Sequence, residues 1–148
     1  MKREHVLPTP ADTQALGREL AALLRPGDLV VLVGPLGAGK TALTQGIGAG
    51  LGVREPVTSP TFVISRVHSG GRVPLVHVDA YRLGSVADVD DLDLDVTVED
   101  SVTVVEWGQG LVEQLAEEHL EIRLDRGEDD VRTAVLLPHG PGWKERLP

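Results

Sequence analysis

The chain has no cysteine, which excludes disulfides, zinc–thiolate sites and thiol catalysis. Aromatics are scarce, with one Phe, one Tyr and two Trp. No apolar run approaches the ~20 residues that a membrane-spanning helix needs. Lys2 and Arg3 stand near the start, but no apolar segment follows before Pro8 and Pro10, so no signal peptide is expected. Basic residues are in deficit: 14 Lys and Arg stand against 23 Asp and Glu, a formal charge of −9. A protein that grips nucleic acid alone carries a basic stripe to neutralise phosphates and often aromatics for stacking. Neither is visible here, so any RNA this chain serves is expected to be held by a partner. A reducing cytoplasm suits a cysteine-free chain and is the expected location.

The 148 residues amount to one domain by length, 1–148, able to bury roughly 68–70% of the unfolded surface. Pro138 to Pro148 is rich in Pro and Gly and is expected to lie loose on the surface. Thr9-Pro10-Ala11-Asp12 is a helix-start signal, and Leu16, Leu20, Leu23 and Leu24 follow at helical spacing. Arg25-Pro26-Gly27-Asp28 breaks that helix before an apolar run, Leu29 to Val33.

That run ends in Gly34-Pro35-Leu36-Gly37-Ala38-Gly39-Lys40-Thr41, which fits the P-loop pattern G-x-x-x-x-G-K-[ST] at every fixed position. A strand ending in such a loop turns successive backbone N–H groups inward, forming a concavity for phosphate oxygens. Lys40 would reach the β- and γ-phosphates, and the Thr41 hydroxyl would hold Mg²⁺. A helix is expected from Thr41 to Leu51, although Gly46, Gly48 and Gly50 each cost about 1 kcal/mol there relative to Ala. Either the helix is short or a neighbour packs closely against it.

Phe62 to His68 and Val73 to Asp79 read as a hairpin around Ser69-Gly70-Gly71-Arg72. Ser101 to Trp107 reads as a further strand and Leu111 to His119 as a helix. Leu120 to Leu124 and Arg132 to Leu137 read as a second hairpin across the acidic loop 125–130. Strands linked by helices, with two hairpins among them, imply an α/β fold: a P-loop NTPase-like three-layer arrangement around a mixed sheet.

Hydrolysis needs more than a phosphate loop: a carboxylate for Mg²⁺ and a group that senses the γ-phosphate. Asp79 and Glu106 each end an apolar run, and strand C-termini in open α/β sheets face the ligand crevice. Glu106 follows the cleaner β-branched run and is preferred as the metal carboxylate, leaving Asp79 as a water-orienting or catalytic group. Thr58-Ser59-Pro60-Thr61-Phe62 reads either as a turn into a strand or as a switch ordered by γ-phosphate. Strand alternation places His77, Asp79 and Tyr81 on one face, an arrangement costly to bury without a role. Residues Asp88 to Asp100 hold seven carboxylates and no basic residue, a solvated acidic segment or a dock for a basic partner.

The P-loop, Ser59-Pro60-Thr61-Phe62, His77-x-Asp79-x-Tyr81-Arg82 and Glu106-Trp107, in this order and spacing, resemble the TsaE family of bacterial P-loop ATPases. The likeness runs from about Val6 to Leu137. These proteins are needed for threonylcarbamoyl modification of the anticodon-adjacent adenosine of tRNA. The resemblance implies that Gly34, Gly37, Ala38, Gly39, Lys40, Thr41 and Ala42 surround the phosphates of ATP, with Thr41 and Glu106 on Mg²⁺. It implies that Ser59 and Thr61 form the switch-like loop, that Asp79 serves catalysis and coupling, and that Lys40, Asp79 and Glu106 are catalytic. Trp107 and Gln109 would sit beside the nucleotide, and Thr13 would approach its adenine side. The implied partners are the TsaD and TsaB proteins, with tRNA reached only through them and no membrane involved.

Pro35 stands where the family usually has Asp, and Gly108-Gln109 follows Glu106-Trp107 where Pro-Glu is common. The family's late Gly-Arg segment corresponds here to the stretch from Arg126 to Arg132, either of which can face the nucleotide. From the residues alone, a small-molecule kinase shares the strand–loop–helix start, and a non-hydrolysing nucleotide module is a third reading.

Overall fold

The computed structural model describes residues 2–35, 37–53, 65–79, 100–106 and 118–147. Seven strands form one sheet in the order β1-β7-β6-β2-β5-β4-β3. They are β1 (Glu4–Leu7), β2 (Leu29–Val33), β3 (Ser65–His68), β4 (Leu75–Asp79), β5 (Val102–Glu106), β6 (His119–Arg126) and β7 (Arg132–His139). The helices described are α1 (Pro10–Ala21), α2 (Lys40–Leu51) and α3 (Pro141–Arg146). None is long and apolar enough to cross a membrane.

The sheet is mixed, as the sequence predicts. β2 pairs in parallel with β5 and β6, and β4 pairs in parallel with β5. The two expected hairpins supply two of the antiparallel pairs, β3 with β4 and β6 with β7. β2 sits at the centre because Leu29 to Leu32 is apolar at every position, the pattern of a parallel strand covered on both faces. Val30, Leu32, Val104 and Ile122 on one face meet Leu16 and Leu20 of α1 and Leu43 and Ile47 of α2. Each such side chain contributes about 1.5–3 kcal/mol through burial.

α1 begins with a reciprocal cap. The Asp12 backbone N–H donates to Thr9 Oγ1 at 3.3 Å, and the Thr9 N–H donates to Asp12 Oδ2 at 2.9 Å. α2 runs its full expected length, and two of its glycines, Gly46 and Gly50, are explained by α1. A Cβ on Gly46 would land on the Gln14 carbonyl of α1, and one on Gly50 would lie 2.5 Å from Ala21 Cβ. Gly17 of α1 reciprocates, since a Cβ there would lie 2.7 Å from the Ile47 nitrogen. Backbone meets backbone at this crossing, and the propensity cost of glycine is offset by the contact.

Two expectations are corrected and one strand is added. The stretch 138–148 does not lie loose: Pro138 and His139 complete β7, Pro141 starts α3, and Trp143 and Leu147 are fully buried. Its Pro and Gly mark a turn and a helix start, where Pro is at home. β1, a four-residue edge strand too short to show periodicity, pairs antiparallel with β7 and leaves Val6 69% exposed. His119, expected to end a helix, opens β6, where it pairs with His139 and stacks on its ring at 4.4 Å. Residues 111–117 of that expected helix, and Phe62 to Ile64 of the first hairpin, lie outside the described residues.

Candidate functional site

β2 delivers the chain to Gly34, and the glycine-rich loop returns it as α2 at Lys40. Gly37 (φ 79°) and Gly39 (φ 101°) adopt left-handed conformations that a side chain would strain. Gly34 is required for a different reason: a Cβ there would collide with the Leu124 carbonyl of β6. Gly39 is the N-cap of α2, and no side chain caps that helix. Its first N–H groups and the positive end of its dipole are therefore open to an anion.

Lys40 is 7% exposed, and its ammonium donates to the Gly34 carbonyl at 2.5 Å. The lysine thus closes over its own loop. Ala38 is fully buried beneath it, and Thr41 and Ala42, half-buried, follow on the first turn of α2. Thr13 lies on the loop's flank, its Cγ2 3.6 Å from where a Cβ on Gly39 would stand, but its hydroxyl donates at 3.5 Å to Thr9 O within α1.

The strand directions settle which carboxylates share this end of the sheet. β2, β4 and β5 run parallel, so Asp79 and Glu106 both finish beside the loop, and they are register partners. Glu106 is 4% exposed at the end of β5, level with Leu32 of β2. His77, fully buried two residues before Asp79, brings Nε2 to 3.5 Å from Glu106 Oε2. The Asp79 side chain, Ser59, Thr61, Tyr81, Trp107 and Gln109 lie outside what is described.

The second hairpin adds two cations that strand reading alone left undecided. β6 runs parallel to β2, so its last residue, Arg126, reaches the loop end of the sheet. Arg126 Nη1 lies 3.2 Å from where a Cβ on Gly37 would stand, and Arg132 Nη2 donates to the Gly37 carbonyl at 3.2 Å. Arg126 Nε donates to Asp130 Oδ1 at 2.8 Å, and Arg132 Nη1 donates to the Asp130 carbonyl at 3.1 Å. Asp130 takes a left-handed φ of 64° at the turn, and the Arg126 guanidinium, by hydrogen bond and charge, holds its carboxyl below the usual range. Both arginines flank the loop. The available signal was topological: a strand parallel to β2 must end where the loop is.

The residues suit a magnesium–nucleotide. Left-handed glycines and an uncapped helix start are a geometry that phosphate oxygens would fit, and Lys40 would supply a cation from the same loop. Among the described residues no group of three or more His, Asp or Glu forms a metal cage. One carboxylate, one hydroxyl and phosphate oxygens are an ordinary donor set for Mg²⁺.

Comparison with known proteins agrees with this geometry. The family model described as Threonylcarbamoyl adenosine biosynthesis protein TsaE matches residues 7–134. The chain is 59% identical over 135 residues to the tRNA threonylcarbamoyladenosine biosynthesis protein TsaE of Streptomyces coelicolor, covering 86% of this chain and 91% of that one. It is 42% identical over 132 residues to the Bacillus subtilis protein of the same name, covering 88% and 82%. The crystal structure of Bacillus subtilis YdiB superposes with a TM-score of 0.80 at 34% identity, over 96% of this chain and 88% of that one.

Proposed function

The chain belongs to the TsaE family of tRNA threonylcarbamoyladenosine biosynthesis proteins, and from that premise we propose that it is a magnesium-dependent ATPase subunit of that modification. The observation that carries this reading is the uncapped, glycine-cradled start of α2, with Lys40 folded onto the loop and Glu106 ending the adjacent strand.

Bound Mg·ATP supplies the phosphoanhydride and a cation that neutralises its charge. Lys40, held on the Gly34 carbonyl, would offer its ammonium to the β- and γ-phosphates. Gly34, Gly37, Ala38, Gly39 and Ala42 would line the phosphates, while Thr41 and Glu106 would hold the metal. Asp79 would orient the attacking water, and Ser59 and Thr61 would sense the γ-phosphate. Thr13, Trp107 and Gln109 would border the nucleoside, and Arg132 steadies the loop through Gly37. The acidic balance of the chain supports an indirect role with tRNA: TsaD and TsaB are the proposed partners in the cytoplasm, whose complex the ATPase would reset or regulate.

Purified chain given ATP and Mg²⁺, with and without TsaD and TsaB, tests this. Phosphate release that rises with the partners and needs no acceptor is expected. ADP formation that depends on a small-molecule acceptor would make the protein a kinase instead. Tight ATP binding without turnover, even with partners present, would make it a binding module.

A further inference from the structure

His77 is fully enclosed, and within the described structure neither ring nitrogen makes a hydrogen bond. A buried polar group without a partner is destabilising, so its presence asks for a reason. Among the described residues its recorded charged neighbour is the Glu106 carboxylate, whose Oε2 lies 3.5 Å from Nε2. We propose that His77 is a positioning residue: its Nε2–H holds one oxygen of Glu106 and so presents the other to the metal at the phosphate loop. This rests on the reading of Glu106 as a magnesium carboxylate.

The chemistry favours one tautomer. An ionised carboxylate only accepts hydrogen bonds, so a bare Nε2 lone pair facing it would be repelled, whereas Nε2–H is attracted. The 3.5 Å separation lies just beyond a normal N–H···O bond of 2.7–3.2 Å, and a small rotation of either side chain closes it. The sheet supplies the placement. His77 stands beside Val104 of β5, and Asp79 stands beside Glu106, so both His77 and Glu106 project from the face that carries Leu75 and Val104. Moving His77 by one residue in either direction would turn it to the other face. Outer partners of this kind fix the orientation of a metal-binding carboxylate, and losing one typically weakens metal affinity about 10–100-fold.

Two measurements decide it. In the metal-free wild-type protein labelled with ¹⁵N-histidine, NMR should show His77 protonated at Nε2, and its resonance should move when Mg²⁺ and ADP are added. A bare Nε2 overturns the proposal. Next, mant-ADP binding is titrated with Mg²⁺. His77→Ala should raise the Mg²⁺ concentration for half effect about tenfold or more, with mant-ADP affinity in EDTA unchanged. His77→Gln, which offers an amide N–H near the same point, should recover most of that loss.

Equal impairment of both variants, or a wild-type Mg²⁺ response in His77→Ala, overturns the role of His77. Should His77→Ala fail to fold by circular dichroism, the tautomer and His77→Gln still decide. If wild-type protein shows no Mg²⁺-dependent nucleotide binding at all, the reading of the site itself falls, a result distinct from either of those.

Discussion

The two ends of the sheet are built on opposite terms. At the end where β2, β4 and β7 meet the turns below them, charge is neutralised on the spot. Arg146 of α3 makes a bidentate pair with Asp28 at 2.7 and 2.9 Å, stacks on Trp143 at 3.9 Å and donates to the Leu23 carbonyl. The Asp28 carboxylate raises the Arg146 pKa above its ordinary value. Arg72, in the turn between β3 and β4, donates to the Ala21 and Leu24 carbonyls and so closes the end of α1. At the other end, α2 starts without a side-chain cap, Lys40 rests on a backbone carbonyl, and His77 faces Glu106 without a formed bond. The lower end closes its polar groups in pairs at the base of the sheet, whereas at the upper end the exposed turn keeps its Arg126–Asp130 pair and the start of α2 goes without a side-chain cap.

That contrast can be broken by experiment. Lys40→Ala should cut turnover by roughly 10²–10³-fold, as loss of a donor to developing charge does. A variant that melts early yet still hydrolyses ATP would put Lys40 on the stabilising side. Arg146→Ala should leave Asp28 unpaired in a largely buried setting and lower stability by about 3 kcal/mol in denaturant melts. Its nucleotide affinity, measured well below the melting temperature, should match wild type; a drop there would mean that the two ends are coupled.

The smallest effect is at Asp130. Its carboxyl titrates below the ordinary value of ~3.9 because Arg126 favours the charged form. The stabilisation is therefore present above that ordinary value and fades as pH falls through the lowered one. Carboxyl NMR should place the Asp130 midpoint low and move it upward in Arg126→Ala.

Much of this architecture was legible because it is written in short-range signals. The apolar run 29–33, the phosphate-loop pattern and the glycine-marked turn of the first hairpin each declare themselves within a few residues. Glu106 was legible as a strand end. What escaped depends on distance: α3 is a helix because Trp143 and Arg146 find the core and Asp28 more than a hundred residues away. The arginines beside the loop, and the pairing of His77 with Glu106 in place of solvent, follow from strand order and register, which no local window contains. Gly46 and Gly50 stand out in the sequence, but their reason lies in α1.

Those glycines limit how the molecule can respond. With Gly46 against the Gln14 carbonyl and Gly17 against the Ile47 nitrogen, no compressible side-chain layer separates the two helices. α2 would have nowhere to recoil if its first turn were pressed. Accommodation would fall to the loop itself and to the exposed turn carrying Arg126, Asp130 and Arg132, with the helix pair as the anvil behind them.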